Sequence, residues 1–445
     1  MRFHSRTFIF LFALCAAAPL RAQTPPPVHP IGPVLATSTE PFASVSQVRA
    51  LPGGRVIMHD LTGRRVVMLD STFKHVTVIA DTTNATVMAY GSRLGGIIAY
   101  RGDSTLFIDP QSISMLVIDP AGKIGRTMAA PLPNEVNQLI GGQNGTPGFD
   151  AQGRLVYRAR LQLGPGAQRF AGAGAFAMPV LPDSSYVVRV DLKTRKVDTA
   201  AVFRIPKIGL SVSRDDNTGG ISVITTVNPM PWTDDWALLS DGTLAVVRGQ
   251  DYRVDFIAAD GKVTSTPKLP FEWQRLTDED KAAVIDSARG QMDKIRAAQI
   301  AQAQSMNANI TVNAPDTSKG ARQRPQGDGS NATIMVGGRG GGGGGLPVNF
   351  SMPPVSFVSP SEMPDYRPAF RQGAALGDLA GNLWIRTSKS VNGGTVYDVV
   401  SSKGELTDRV LIPPGRVIAG FGPGGVVYMG VVDGNITHLE RARVR

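Results

Sequence analysis

The sequence predicts an all-β protein, a six-bladed β-propeller with a helical and glycine-rich insertion between blades four and five. Six phrases, each a turn with Gly or Asp followed by alternating apolar strands, recur along the chain. A two-residue apolar period behind a glycine turn indicates a hairpin, and repetition at roughly 40 to 50 residues is typical of propeller blades. The phrases begin at Pro52, Arg101, Asp150, Ser240, Leu379 and Gly422.

The first residues have the features of a secretory signal peptide. Arg2 and Arg6 precede an apolar run from Phe8 to Ala18, and Ala22 supplies a small residue for cleavage. The run is too short to cross a bilayer, so residues 1–22 are predicted to be removed. The mature chain is therefore expected to be exported, to the periplasm or the exterior, without a transmembrane segment.

The composition excludes several kinds of chemistry. The only cysteine, Cys15, lies in the predicted signal peptide, so the mature chain would have no thiol for a disulfide, a zinc–thiolate site or a nucleophile. The formal net charge is +10, and the positive residues are spread along the chain. Nucleic acid is not an expected partner of an exported protein, whereas solvated charges and an anionic partner both stay open.

Domain boundaries follow from the blade phrases. Residues 23–32 are predicted to be a proline-rich, disordered lead-in, and residues 33–272 to hold blades one to four. Residues 273–346 form the insertion, and residues 347–445 hold blades five and six. Only three strands are evident in the last blade, and an open ring would leave unpaired sheet edges. The segment from Pro33 to Ser38 is therefore expected to supply the fourth strand and close the ring.

Two segments are predicted to project from the blades. Ile208 to Val227 alternates on both sides of Asp215 to Gly220, which indicates an extra hairpin. In the insertion, Thr277 to Asp280 is typical of a helix start, and helix formers continue from Lys281 to Gln304. The stretch from Asn307 to Gly345 ends in a glycine run and is predicted to be disordered.

Blade four carries a recognisable repeat phrase. The stretch from Asp241 to Phe256 has an Asp-Gly turn, an apolar strand, a polar turn, an arginine and a further apolar strand. It resembles the NHL repeat, and Arg65 matches the same turn in blade one. The chain is thus similar to six-bladed propellers of the NHL-repeat and TolB-like superfamily. The resemblance implies the fold and no particular activity, because this architecture hosts unrelated functions.

Arginines end the second strand of three predicted blades, at Arg158, Arg248 and Arg386. Equivalent positions in a ring lie on one face, so these arginines could form a funnel for an anionic ligand, such as a carboxylate or an acidic glycan. Alternatively, they pair with Asp234, Asp235, Asp109 and neighbouring carbonyl groups and tie adjacent blades together. Both interpretations stay open at this point.

Further polar and aromatic residues that could contact a ligand lie on the same predicted face. His59 ends the second strand of blade one, and the start of blade four's innermost strand carries Trp232, Asp234 and Asp235. The funnel hypothesis takes these residues as additional ligand contacts.

The sequence contains no recognised catalytic signature, neither a zinc-binding His-Glu-x-x-His motif nor a Gly-x-Ser-x-Gly motif nor a P-loop. The preferred hypothesis is an exported binding or scaffold module for a protein or a small anionic ligand, with no cofactor expected. The alternative is a metal-dependent lactonase or lyase of the gluconolactonase or amidating-lyase kind. Such enzymes hold a divalent metal in the central channel by Glu, Asp and Asn, for which Glu135, Asn137 and Asp234 are the candidates.

Overall fold

The computed structural model describes most of the predicted mature chain. It covers residues 25–83, 90–91, 94–161, 181–214, 221–311 and 355–444. The predicted signal peptide, the tip of the predicted hairpin and nearly all of the glycine-rich stretch lie outside the described residues. Within them, six sheets of four or five strands contact one another through their innermost strands. The protein is therefore an all-β, six-bladed propeller, as the sequence predicted.

The first two strands of the chain pair with blades five and six, which the C-terminal part of the chain forms. Strand β1 (Val28–Pro30) runs parallel to residues 409–411 of blade five, and β2 (Val34–Thr37) pairs antiparallel with residues 440–442 of blade six. The second pairing completes the last blade and closes the ring at the expected place. The prediction of a disordered lead-in over residues 23–32 is wrong for β1, because the open edge of blade five supplies hydrogen-bond partners for this segment.

Blades one to three are antiparallel four-stranded sheets. Blade one contains β3 (Gln47–Ala50), β4 (Val56–Asp60), β5 (Arg65–Leu69) and β6 (Val76–Ala80). Blade two contains β7 (Gly96–Ala99), β8 (Thr105–Asp109), β9 (Ser114–Ile118) and β10 (Ile124–Ala129). Blade three contains β11 (Gly148–Phe149), β12 (Leu155–Arg158), β13 (Ser184–Val190) and β14 (Val197–Arg204). Short 3₁₀ helices lie at Pro52–Gly54, Pro133–Leu139 and Gly142–Asn144.

The remaining strands form the predicted extra hairpin and three further blades. The hairpin contains β15 (Ile208–Arg214) and β16 (Ile221–Val227). Blade four contains β17 (Asp235–Leu238), β18 (Leu244–Arg248), β19 (Arg253–Ile257) and β20 (Val263–Ser265). A short strand, β21 (Val355–Phe357), adds to β16 in parallel. Blade five contains β22 (Phe370–Gly377), β23 (Leu383–Val391), β24 (Gly394–Val400) and β25 (Leu406–Ile412). Blade six contains β26 (Arg416–Gly422), β27 (Val426–Asp433) and β28 (Ile436–Arg443).

The segment between blades four and five extends beyond residue 346, up to β22, and is called the insertion below; it contains helix α1 (Asp278–Thr311) and a 3₁₀ turn at Pro360–Glu362. The helix starts where predicted, since the Asp280 backbone N–H donates to the Thr277 hydroxyl, and the Asp280 carboxylate accepts the Thr277 N–H. It continues to Thr311, so the prediction of disorder from Asn307 onward is wrong for these first residues. None of the described helices is both long and apolar enough to span a membrane.

The apolar core lies between neighbouring blades rather than within one sheet. In β4, Val56 and Met58 pack with Tyr428 of blade six, whereas Ile57 packs with Phe107 of blade two. Successive side chains of a strand point to opposite faces, so β4 is buried on both faces. This arrangement leaves the strand ends and the connecting loops to form any ligand site.

Candidate functional site

Arg248 is an ion-pair partner that joins blades three and four. Its Nε donates to Asp255 Oδ2 at 2.7 Å, and its Nη1 donates to Asp234 Oδ2 at 2.9 Å. The same Nη1 donates to the carbonyl oxygen of Val202 in β14 at 2.9 Å. The guanidinium is thus engaged by two carboxylates and a neighbouring blade. This geometry favours the structural alternative for Arg248 and Asp234 over a ligand contact.

Arg158 is enclosed between blades three and four, with 8% of its surface exposed. Its Nε donates to the Ser185 hydroxyl and its Nη1 to the Asn144 side-chain oxygen, both at 3.2 Å. The guanidinium lies 5.5 Å from the centre of the Phe203 ring. Burial lowers the pKa of Arg158, and the negative charge of Asp235 opposes that shift. Arg158 therefore packs in the interior and is nearly closed to a ligand.

His59 is a core residue of blade one with 1% of its surface exposed. Its Nε2 is hydrogen-bonded to the Tyr90 hydroxyl at 2.8 Å, and its ring packs against Phe107. Burial lowers the pKa of His59 to about 4, against the charge of Asp60, so the imidazole is neutral at neutral pH. It does not reach the surface that the funnel hypothesis required.

Asp235 joins blades four and five. The carboxylate is 1% exposed and accepts hydrogen bonds from the backbone N–H groups of Ala374, at 2.6 Å, and Ala375, at 2.9 Å. Burial raises the pKa of Asp235 to about 6, although these N–H groups favour the charged form. Asp235 is therefore a structural acceptor that fixes the start of the innermost strand of blade five.

The N–H groups that Asp235 accepts belong to a bulge in β22. Phe370 pairs with Thr387 and Ala375 with Ile385, so residues 371–374 lie opposite Arg386 alone. Gly373 has a φ of 78°, a conformation that favours glycine. The bulge brings Arg371 opposite Arg386, near the start of the innermost strand. The second strand continues to Val391, so the prediction that it ends at Arg386 is wrong.

A cavity of about 400 Å³ lies at this face of blade five. It contains three arginines, of which only Arg386 belonged to the predicted funnel. The cavity is called the arginine cavity below. Its lining residues are Met230, Pro231, Arg367, Pro368, Arg371, Arg386, Thr387, Ser388 and Thr395.

The charge of the arginine cavity is unbalanced. No Asp or Glu of the described residues lines it, and Arg367, Arg371 and Arg386 form no ion pair in the part of the chain that the structure describes. The Arg367 Nε donates to the Gln274 side-chain oxygen at 2.9 Å, which is a neutral partner. Like charges on neighbouring strands repel, and a bound anion would remove that cost. The arrangement therefore suits an anionic ligand.

The insertion contributes one wall of the arginine cavity. Its two ends pair with each other: the Arg367 N–H donates to the Gln274 carbonyl at 2.9 Å, and the Leu276 N–H donates to the Asp365 carbonyl at 2.8 Å. Residues 274–276 together with residues 365–367 are called the neck below. The neck holds Arg367, and Met230 of the cavity packs in an apolar cluster with Leu276 and Ile285 of the insertion.

Trp232, the aromatic residue predicted to contact a ligand, lies beside the arginine cavity. It follows the lining residue Pro231 and is half-buried. Its ring centre is 5.6 Å from that of Trp273, with the planes inclined by 52°. The two tryptophans form an aromatic pair next to the neck.

The three residues considered for a metal do not face a common centre: Glu135 and Asp234 have separate partners, and Asn137 is exposed. Glu135 accepts a hydrogen bond from the Tyr157 hydroxyl at 2.8 Å, and Asn137 is exposed on the same 3₁₀ helix. Asp234 is engaged by Arg248. Among the described residues, no group of three or more His, Cys, Asp or Glu side chains is arranged to hold a metal ion. The described geometry thus offers no assembled metal centre from these three residues.

Sequence reasoning missed Arg367 and Arg371, which form most of the positive charge in the cavity. Both precede the blade-five phrase that begins at Leu379, and Arg371 lies at the start of β22 (Phe370–Gly377). The signal in the sequence is a pair of arginines four residues apart where this innermost strand begins. No regular repeat position marks them, because the bulge in β22 brings them to the cavity.

No known family pattern matches the chain, and no curated protein matches its sequence. Several solved structures are similar to this chain. Virginiamycin B lyase from Staphylococcus aureus is 9% identical, over 93% of this chain and 99% of the lyase chain, with a TM-score of 0.36. A gluconolactonase from Xanthomonas campestris is 13% identical, over 93% of this chain and 99% of that one, with a TM-score of 0.36. A calcium-binding regucalcin from Agrobacterium tumefaciens is 12% identical, over 94% and 98% of the two chains, with a TM-score of 0.37. Because the sequence identities and TM-scores are so low, no activity, ligand or metal of these proteins is assigned to this chain.

Replacing Arg248 by alanine is expected to lower the free energy of unfolding by about 1 to 3 kcal/mol, because two carboxylates lose their partner. Urea denaturation measures this loss. The control is Arg253→Ala, which removes a more exposed arginine at 3.7 Å from Asp255, and whose cost should stay below about 1 kcal/mol. Loss of anion binding in the Arg248→Ala protein at unchanged stability would restore the funnel hypothesis.

Proposed function

We propose that this protein is an exported binding module that holds a small organic anion in the arginine cavity. The observation that carries the proposal is the presence of Arg367, Arg371 and Arg386 in one cavity without a lining carboxylate. A guanidinium presents a planar set of N–H donors that matches a carboxylate in a bidentate manner. Three of them in one cavity are therefore suited to an anion with several carboxylate oxygens.

The size and the rigidity of the arginine cavity support this function. A volume of about 400 Å³ lies in the range of small-molecule sites. Arg371 and Arg386 lie on neighbouring strands, and the bulge between them is held by Asp235. Ser388 and Thr395 add hydroxyl groups to the lining, which can donate to or accept from a polar ligand.

Replacing Arg386 by glutamine is expected to weaken the binding of citrate, used as a tricarboxylate probe, by roughly tenfold or more, because one charge-assisted contact is lost. Isothermal titration calorimetry at low ionic strength measures the dissociation constant. The matched control is Arg289→Gln on the exposed face of α1, where Arg289 pairs with Asp286 and citrate binding should not change. Equal affinities of the wild type and the Arg386→Gln protein would contradict the proposal.

A lactonase or lyase, the alternative raised from the sequence, is the second candidate function. It differs from the binding module in a measurable way, since an enzyme turns its ligand over whereas a binding module releases it unchanged. Metal analysis of the purified protein and a lactone-hydrolysis assay separate the two. About one divalent metal per chain together with lactone turnover would favour the enzyme.

A further inference from the structure

Trp273 lies between two residues whose contacts reach the wall of the arginine cavity. The preceding residue, Glu272, pairs with Lys389 Nζ at 2.9 Å, and Lys389 follows the lining residue Ser388. The next residue, Gln274, accepts hydrogen bonds from both the backbone and the side chain of Arg367. The chain on either side of Trp273 is thus attached to the cavity wall.

The Trp273 ring is supported by a series of aromatic contacts that leads into the core. Its edge meets Phe271, with ring centres 5.2 Å apart, and Phe271 in turn meets Tyr252 at 5.4 Å. Tyr252 is fully buried, and its hydroxyl donates to Asp398. Trp273 nevertheless stays 38% exposed, although it is a large apolar residue close to a charged cavity. The support and the exposure together make Trp273 a rigid platform.

We infer that Trp273, with Trp232 beside it, forms a second subsite that stacks a ring of the anion held in the arginine cavity. The ligand class is then a carboxylate attached to a ring with an apolar face. This inference rests on the proposed function and adds the part of the ligand that the arginines do not recognise. Two sources share that chemistry, an aromatic acid and a uronic acid sugar, because both present a flat or apolar ring face to an indole.

Matched pairs of monocarboxylates test this inference. Benzoate is compared with hexanoate, and D-glucuronate with gluconate, so that each pair has equal charge and differs mainly in the ring. Dissociation constants are measured by titration calorimetry for the wild type, for Trp273→Leu and for Trp273→Tyr. The control is Tyr186→Leu, which removes a 49% exposed aromatic ring from blade three.

We expect Trp273→Leu to weaken the ring-bearing member of one pair by roughly five- to tenfold, the usual worth of an aromatic contact. The acyclic members should change by less than about twofold, and Trp273→Tyr should keep most of the ring preference. The pair that shows the effect identifies the source of the ring.

Three results would overturn the inference. One is an equal loss for ring and acyclic acids in Trp273→Leu, which would show a damaged cavity wall. Another is no ring preference in the wild type, while both acyclic acids bind and Arg386→Gln weakens them. That result would agree with the proposed anion binding and would reject only the aromatic subsite. If no anion binds the wild type, both ideas fail together.

Discussion

Replacing Arg409 by methionine is expected to lower the free energy of unfolding by about 3 to 5 kcal/mol, the usual cost of leaving one partner of a buried ion pair alone. The Arg409 Nε donates to Asp398 Oδ1 at 3.0 Å, and the Tyr252 hydroxyl donates to Asp398 Oδ2 at 2.6 Å. Asp398 is fully buried, and burial raises its pKa while Tyr252 and Arg409 oppose the shift. Methionine would keep the packing volume and leave the carboxylate without its cation.

Urea denaturation of Arg409→Met measures this loss, with Arg416→Met as the control. Arg416 pairs with Glu440 at 2.7 Å in the next blade, but its side chain is 27% exposed, so its loss should cost about 1 kcal/mol. The deficit of Arg409→Met should shrink as the pH falls, because protonated Asp398 carries no charge that requires a partner. Equal losses for the two variants, or a deficit independent of pH, would contradict this account.

Removing residues 25–42 is expected to lower the melting temperature by roughly 10 °C or more, since the last blade would lose its outermost strand and the ring its closure. Strand β2 supplies the hydrogen bonds to β28, and Phe42, which is 1% exposed, exchanges two backbone hydrogen bonds with Thr437. The deletion also removes the Phe42 ring, which exposes the apolar side chains of blades one and six that pack in the same cluster.

Differential scanning calorimetry measures the change, and a shorter truncation provides the comparison. Removal of residues 25–32 takes away β1 and the 2.7 Å contact between His29 and Asp408, but it keeps β2. We expect only a few degrees of loss from this shorter truncation. If both truncations melt at the same temperature, β2 does not hold the ring together.

The fold was predictable because its signals are local. Each blade is a series of hairpins, so a glycine turn and an alternating strand within about ten residues suffice to place it. Ring closure followed from counting strands in blade six, since a sheet edge needs a partner whether or not that partner is near in sequence. The parallel addition of β1 had no such signal, because blade five already had its four strands.

The site was predictable only in part, because equivalent arginines have different neighbours. Arg248 and Arg386 lie on the second strand of their blades, yet Arg248 ends β18 and meets Asp234 and Asp255, while β23 continues past Arg386, which lies opposite the bulge at Gly373. Arg367 is fixed by Gln274, 93 residues away, through a pairing of the insertion's ends. Repeat positions give the direction of a side chain, whereas its partners come from contacts between blades that a single repeat does not encode.

The neck has a consequence for exchanging parts of this protein. Since the Leu276 N–H donates to the Asp365 carbonyl at 2.8 Å, the insertion leaves and rejoins the propeller at one place, although β21 and Ile285 make further contacts with β16 and Met230. The entropy of closing a loop grows by only about 0.6 kcal/mol for each doubling of its length, so the distal part of the insertion is free to change in length. A different element could therefore be grafted onto the neck while Arg367 and Trp273 keep their positions.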